Sequence, residues 1–444
     1  MTARPELPPS ESTVSDEALA PLAWYAQRRP VYTGGNVATL LQGGRELFPA
    51  LRDSIDRAKR SVWMAVYIVS PEGQSSTVLQ ALMRAARRGV DVHVVVDGVG
   101  SREASPQLWQ SMDQAGVKLA IYRPLHRLWS ILDAGQWRRM HLKLCVVDEC
   151  AAFIGGINLI DDHYDLTHGW SDTPRLDYAV EAQGPVVTPM LHTIKAMWTR
   201  AKVGRDWRDD WVHLAQDPNK LQHLREMWQR ARLRLTPHEQ SQLSAAEADD
   251  RPMRCAFVLR DNLRQRRTIE LAALQAILQA KECVDIVTPY FYPRRALRRA
   301  LKQAAARGVR VRLLLQGKLD YRIAGMAAQV LYGELQSQGI RIYEYQPAFL
   351  HAKVLCVDQQ WATIGSSNLD PLSLLLNLEA NLIVQDAPFV AALSEKLASD
   401  FALSREVPPS ASPGSDNWRT RWKRHWVAFV AKAYLWMAGA TGRY

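Results

Sequence analysis

Two stretches of this chain, 210 residues apart, carry the same pattern of polar residues on an apolar background. Residues 141–158 read HLKLCVVDECAAFIGGIN and residues 351–368 read HAKVLCVDQQWATIGSSN. Each has His-x-Lys, four residues, then Asp, with Gly 14 and Asn 17 positions after the His. A second, looser match flanks them: AARRGVDVHVVVDG at 85–98 lines up with AAARGVRVRLLLQG at 304–317. A repeat on this scale is a duplicated domain, not a solenoid. It requires two similar halves, and 444 residues are enough for both.

Each half reads as α/β. In the first, Val62–Val69 predicts a buried strand, Gln74–Arg88 a helix stopped by Gly89, and Val90–Val96 a second strand. In the second, Cys283–Thr288, Arg294–Ala306, Gly308 and Val309–Leu315 repeat that order. Such βαβ units form parallel crossovers. The expected organisation is a disordered lead at 1–35 and a first half at 36–202. A helical connector at 203–254 and a second half at 255–404 follow. A Pro/Ser linker at 405–417 and a basic aromatic tail at 418–444 end the chain. The five scattered cysteines have no zinc spacing and read as small buried residues.

The repeated motif carries chemistry. Alternation on a strand projects His141 and Lys143 from one face and sends Leu142, Leu144 and Val146 into core. His351 and Lys353 repeat this. If the halves pack about a pseudo-twofold axis, two His–Lys pairs converge on one pocket suited to a phosphodiester. One imidazole attacks phosphorus and the other moves the leaving and entering protons. The lysines, with Asn158, Asn368, Gly156 and Ser366, are expected to hold the phosphoryl oxygens. Gly155 and Gly365 are expected to allow close backbone approach there. Asp148 and Asp358 complete the motif and count among the candidate catalytic residues. Their place at strand ends makes bracing of the Lys or the loop the expected role, rather than proton transfer. The set calls for no metal and no cofactor.

Both motifs resemble the HKD motifs of the phospholipase D superfamily. Within it the chain is most similar to bacterial cardiolipin synthases of the form without N-terminal transmembrane helices. The stretches that carry this are DGVGS (97–101), MHLKLCVVD and FIGGIN (140–158), RLDYAVEAQGP (175–185), LHAKVLCVD (350–358) and TIGSSNLDPLSLLLNLEANL (363–382). The resemblance implies a duplicated phospholipase D fold: two βαβ-containing halves with mixed sheets and one shared active site. It implies transfer of a phosphatidyl group from one phosphatidylglycerol to another, giving cardiolipin and glycerol, with side hydrolysis to phosphatidate. It assigns the nucleophile to His141 and acid–base work to His351. It also carries two orienting carboxylates across the halves, Glu379 to His141 and Asp177 to His351.

The net charge of +11, from 56 Lys+Arg against 45 Asp+Glu, fits an anionic partner. Six of the positive charges lie in the last 27 residues, among Trp418, Trp422, Trp426 and Trp436, with no acid. On a helical wheel that tail reads as an interfacial amphipathic helix or as a helix packed on the domain, and LHRLWSILDAGQWRRM (125–140) as a lining of the lipid entrance or an ordinary surface loop. The expected partners are phosphatidylglycerol and an anionic membrane surface, with no nucleic acid. The expected place is the cytoplasmic side of a bacterial inner membrane, held peripherally. The competing readings are a phosphodiesterase acting on nucleic acid or another phosphodiester, which the basic charge also suits, and a degenerate membrane-binding scaffold. Two intact motifs argue against the scaffold. Oligomeric state is not legible.

Overall fold

The computed structural model describes residues 23–124, 139–166, 168–209, 241, 244–248, 250–261, 264–318, 331–368 and 377–409. Most of the connector, the tail and nearly all of the 125–140 stretch lie outside these residues.

The first half runs β1 (Val37–Gln42), helix Gly43–Arg57, β2 (Ser61–Val66), helix Ser75–Arg87, β3 (Asp91–Asp97), helix Pro106–Gln114 and β4 (Lys118–Tyr122). It continues with β5 (Lys143–Val147), β6 (Ala151–Gly155), the short hairpin β7 (Tyr164–Asp165) and β8 (Gly169–Trp170), β9 (Tyr178–Gln183) and helix Val187–Asp209. The second half runs β10 (Arg254–Arg260), helix Thr268–Gln279, β11 (Cys283–Val287), helix Arg295–Ala306, β12 (Arg310–Gln316) and β13 (Arg341–Tyr345). After these come β14 (Val354–Val357), β15 (Trp361–Gly365), β16 (Glu379–Gln385), helix Ala387–Ala402 and β17 (Ser404–Glu406).

The two large sheets have the same order, β1-β9-β6-β5-β2-β3-β4 and β10-β16-β15-β14-β11-β12-β13, the second gaining β17 at its edge. In each, three strands are parallel (β2, β3, β4; β11, β12, β13) and the others antiparallel. The parallel strands read as continuous apolar runs because both of their faces are covered. Leu144, Val146 and Ile154 meet Val354, Cys356 and Ile364 in one central core between the sheets. The helices Val187–Asp209 and Ala387–Ala402 contribute to that core through Met190, Ile194, Leu393 and Leu397. The other helices pack on the outer faces in two separate clusters.

The helix stops behave alike in both copies. Gly89 and Gly308 have φ of +89° and +87°. Val90 N–H donates to Ala85 and Val309 N–H to Ala304, both at 3.1 Å. These are paired Schellman caps, which favour glycine. Four cysteines are buried and Cys150 is exposed.

Two expectations are corrected. The lead was expected to be disordered through residue 35, yet residues 23–35 are ordered against the second half. Trp24 packs edge-on against Phe257 at 5.5 Å, Gln265 donates to the Tyr25 carbonyl at 2.8 Å, and Thr33 bridges Cys255. Aromatic side chains that find apolar surface outweigh a polar composition. At the other boundaries, helix Val187–Asp209 runs past residue 202, and β17 extends the second half into the expected linker.

The second correction concerns Asp148 and Asp358 as catalytic candidates. They sit at the far ends of β5 and β14 from the histidines, in hairpin turns closed by Cys150 N–H to Val147 and Gln360 N–H to Val357, both at 3.1 Å. Residues 148, 149, 358 and 359 all have φ between +49° and +62°, as a primed hairpin turn requires and Asp tolerates. The Asp148 carboxylate accepts the backbone N–H groups of Lys59, Arg60 and Ser61 at 2.8, 2.7 and 3.0 Å. Asp358 accepts those of Lys281, Glu282 and Cys283 at 2.8, 2.8 and 2.9 Å. Partial burial opposes the charge on Asp148, but these donors hold its carboxyl below the usual range. Both residues lock a turn to the lead-in of the neighbouring parallel strand, as the loop-bracing reading had it. Asp148→Ala is expected to cost about 1–3 kcal/mol in urea unfolding while the folded fraction keeps its turnover. A large loss of turnover at unchanged stability would return Asp148 to the chemistry.

Candidate active site

His141 and His351 stand just ahead of β5 and β14, where the two halves touch. Each motif is stitched to the opposite half by backbone. His141 N–H donates to Leu378 O at 3.0 Å, and Leu378 N–H to Arg139 O at 2.9 Å. In the mirrored join, His351 N–H donates to Leu176 O at 2.8 Å, and Leu176 N–H to Phe349 O at 2.9 Å. Leu378 and Leu176 immediately precede Glu379 and Asp177. The joins therefore deliver each carboxylate to the histidine of the other half.

His141 Nδ1 lies 3.0 Å from Glu379 Oε2, and His351 Nδ1 lies 2.6 Å from Asp177 Oδ2. The carboxylates are fully buried, at 0 and 2 % side-chain exposure, whereas the histidines keep 13 and 27 %. A carboxylate on Nδ1 fixes the tautomer and leaves Nε2 for chemistry. Lys143 Nζ donates to the His141 carbonyl at 3.0 Å, and Lys353 donates to that of His351. Both lysines fold back onto their own motif. Strand β5 begins at Lys143 and β14 after Lys353, so both histidines and Lys353 lie on the extended lead-in and Lys143 opens its strand.

Burial lowers the His141 imidazole against the pull of Glu379. It pushes His351 well down, with Lys353 and Lys143 adding to the effect. Burial also brings Lys143 down to about 7, opposed by Glu379 and reinforced by Lys353. Asp177 is raised to about 7 by burial, although Lys353 opposes. Lys143 and Asp177 are thus both brought near neutrality, where groups used in acid–base chemistry are found.

The remaining candidates divide. The buried Asn368 Oδ1 has no hydrogen-bond partner among the described residues, while Asn158 Oδ1 accepts from Ile68 N–H at 3.2 Å. Ser366 takes a different place from the one expected: its hydroxyl donates to Glu379 Oε2 at 2.6 Å, with Asn377 donating to Oε1 at 3.3 Å. So does Gly156, since a Cβ there would strike the Asp177 carboxylate. Its smallness makes room for that group. Gly155 and Gly365 meet the neighbouring strands β9 and β16, so their close approach is to backbone.

Three site residues escaped the sequence reading. The Tyr67 ring stands edge-on to His141 at 4.9 Å, and Lys143 Nζ lies 5.3 Å from the same ring. Asp97, fully buried, accepts Met140 N–H at 2.9 Å and Arg139 Nη2 at 2.7 Å. Gln316 does the same work in the other half, accepting Leu350 N–H. Each thus pins the residue ahead of a histidine. The signal was present in the aligned DG of 97–98 and QG of 316–317, but Asp and Gln do not look equivalent until the sheets are matched. No group of three or more His, Cys, Asp or Glu side chains arranged for a metal occurs among the described residues.

Two outcomes are expected. Asp97→Ala strands Arg139 in the interior and should cost about 3–5 kcal/mol. The double variant Asp97→Gln/Arg139→Phe copies the second half and should recover most of that loss in thermal unfolding. Competition by orthovanadate should weaken as pH rises through about 7, because Lys143 then loses its positive charge. Lys143→Met should bind the anion weakly at every pH. A pH-independent inhibition constant in the wild type would contradict the lysine's role.

The family model described as "Cardiolipin synthase, PLD-like domain" matches twice, over residues 51–168 and 273–401. Cardiolipin synthase B of Salmonella typhi is 35 % identical over 363 residues, covering 82 % of this chain and 80 % of that protein. Cardiolipin synthase B of Escherichia coli K12 is 32 % identical over 417 residues, covering 92 % of each. Among solved structures, phosphatidylserine synthase of Haemophilus influenzae superposes with a TM-score of 0.63 at 14 % identity, covering 94 % of this chain and 98 % of that one. The shared fold and the repeated matched domain place the chain in the cardiolipin synthase family of phospholipase D-like phosphatidyltransferases.

Proposed function

We propose that the protein makes cardiolipin by joining two phosphatidylglycerol molecules through a phosphohistidine intermediate. The observation that carries this is the pair of imidazoles, each held at Nδ1 by a buried carboxylate of the opposite half. His141 Nε2 forms a bond to phosphorus, and the bond from phosphorus to the glycerol headgroup oxygen breaks. His351 Nε2 gives its proton to that leaving oxygen, and glycerol departs. The terminal hydroxyl of a second phosphatidylglycerol then yields its proton to His351 and attacks phosphorus. The phosphorus–nitrogen bond breaks and cardiolipin is released. Water in place of that hydroxyl gives phosphatidate.

The division of labour follows the carboxylates. Asp177, raised to about 7 by burial, shares a proton with His351 in the range where general acid–base catalysis is efficient. Glu379 is anchored by Ser366 and Asn377 as well as by His141. A carboxylate so held suits the imidazolium-like charge of a phosphorylated His141. Lys143, Lys353 and Asn368 stabilise charge on the non-bridging oxygens. The enzyme works from the surface of a bacterial inner membrane, on its cytoplasmic side. No helix among the described residues is long and apolar enough to cross a membrane.

Purified protein given phosphatidylglycerol alone should yield cardiolipin and glycerol by lipid mass spectrometry. His141→Ala and His351→Ala should each lower turnover by about 10³-fold or more. Acid-labile, base-stable phosphate should be trapped on His141 in the His351→Ala background. Label on residue 351 in the converse variant would reverse the two roles, and phosphatidate as sole product would make the protein a hydrolase.

A further inference from the structure

The ends of the two halves that carry the pocket differ in charge. In the second half, two loops leave the sheet there. Of the residues that follow β10, 261 and 264–267 are described, and the last residue of β10, Arg260, pairs with Glu379. Residues 288–294 follow β11, whose last residue, Val287, pairs with Val354 beside Lys353. These loops and the helix turn that follows carry Arg264, Arg266, Arg267, Arg294, Arg295 and Arg299. Of these, Arg266, Arg267, Arg295 and Arg299 are exposed. The acids beside them are buried: Glu270 is bridged by Arg267 and Arg294, and Asp261 accepts Gln265 N–H. Arg295 and Arg299 make no ion pair among the described residues. The matching end of the first half has Glu72 in the loop after β2, and Arg45 next to Glu46 after β1.

The two matching helices show that this placement is not for helix stability. Helix Ser75–Arg87 carries Arg84 and Arg87 in its last turn, where the helix dipole favours cations. Helix Arg295–Ala306 has arginine at its first position, no acid in its first turn and no base in its last. It bears its arginines at the end where the dipole opposes them. In the first half, the β7–β8 hairpin is inserted between Asn158 and Asp177. It is tied down by Thr173 Oγ1 to Pro347 O at 2.7 Å. It holds Trp170 at 60 % exposure, with Tyr164 5.3 Å away.

We propose that the pocket end of the molecule is its bilayer-docking face. Arg266, Arg295 and Arg299 engage the phosphates of an anionic phospholipid surface, and the β7–β8 hairpin sets Trp170 at headgroup depth. Guanidinium forks suit phosphate oxygens, and an exposed indole suits the interface. The docking rests on the phospholipid-substrate reading, and it brings the pocket mouth to the lipids without help from the C-terminal tail.

The test uses the full chain and vesicles of phosphatidylcholine with and without phosphatidylglycerol. Arg266→Glu/Arg295→Glu/Arg299→Glu should weaken sedimentation with the anionic vesicles at least about tenfold. Arg87→Glu, at the opposite end of the matching helix, should bind as wild type. Trp170→Ala should weaken binding severalfold on both vesicle types. Thermal melts confirm that each variant is folded, and turnover of dispersed short-chain phosphatidylglycerol should fall far less than turnover on bilayers. Wild-type sedimentation by the triple variant overturns the proposal. So does an equal loss with Arg87→Glu, or a change of solution mass that makes this face a contact between copies. Lost docking in a protein that never converts phosphatidylglycerol would sink the chemistry and leave the docking face standing.

Discussion

The site depends on a crossed pair of buried contacts: Glu379 to His141 and Asp177 to His351. A buried carboxylate is costly unless it is bonded. Each of these is delivered by a backbone join to the opposite half, at Met140–Leu378 and Leu176–Leu350. The joins set the distance between the histidines, and the carboxylates set which ring nitrogen is left open. The central core, fed equally by the two sheets, prevents the joins from sliding. Geometry and chemistry are thus fixed by one interface.

The symmetry is broken around the two histidines. Asp and Glu differ by one methylene, and only the Glu is buttressed by Ser366 and Asn377. Asp97 with Arg139 pins the first motif through an ion pair, while Gln316 pins the second without charge. Lys143 is pulled down to about 7 by burial. A reaction in which one imidazole is phosphorylated while the other moves protons suits such a scaffold, since equal sites would compete for the same role.

Much of this was legible. The His–Lys pairs, the duplication and the alternating layers come from spacing and apolar runs, and these depend on local rules that survive folding. The carboxylate partners were legible only through family resemblance, since nothing in the sequence near Asp177 or Glu379 signals a partner 174 or 238 positions away. Asp148, Asp358 and Ser366 were harder. A polar residue at a strand end serves backbone or substrate equally well on paper, and only the donors around it decide. The ordered 23–35 segment was hidden by its neighbours: Pro, Ser and acids dominate the composition, while Trp24, Tyr25 and Tyr32 do the packing.

That segment has a consequence for synthesis. The chain passes over the second half before it enters β1 of the first, so residue 33 finds its bridging partner only once residue 255 exists. His141 likewise meets its carboxylate only after residue 379 has been made. A nascent chain carrying the whole first half therefore holds one imidazole with no orienting acid and a strap with no edge to close. Within one chain, the crossed His–carboxylate pairs are complete only when β16 of the second half has been made.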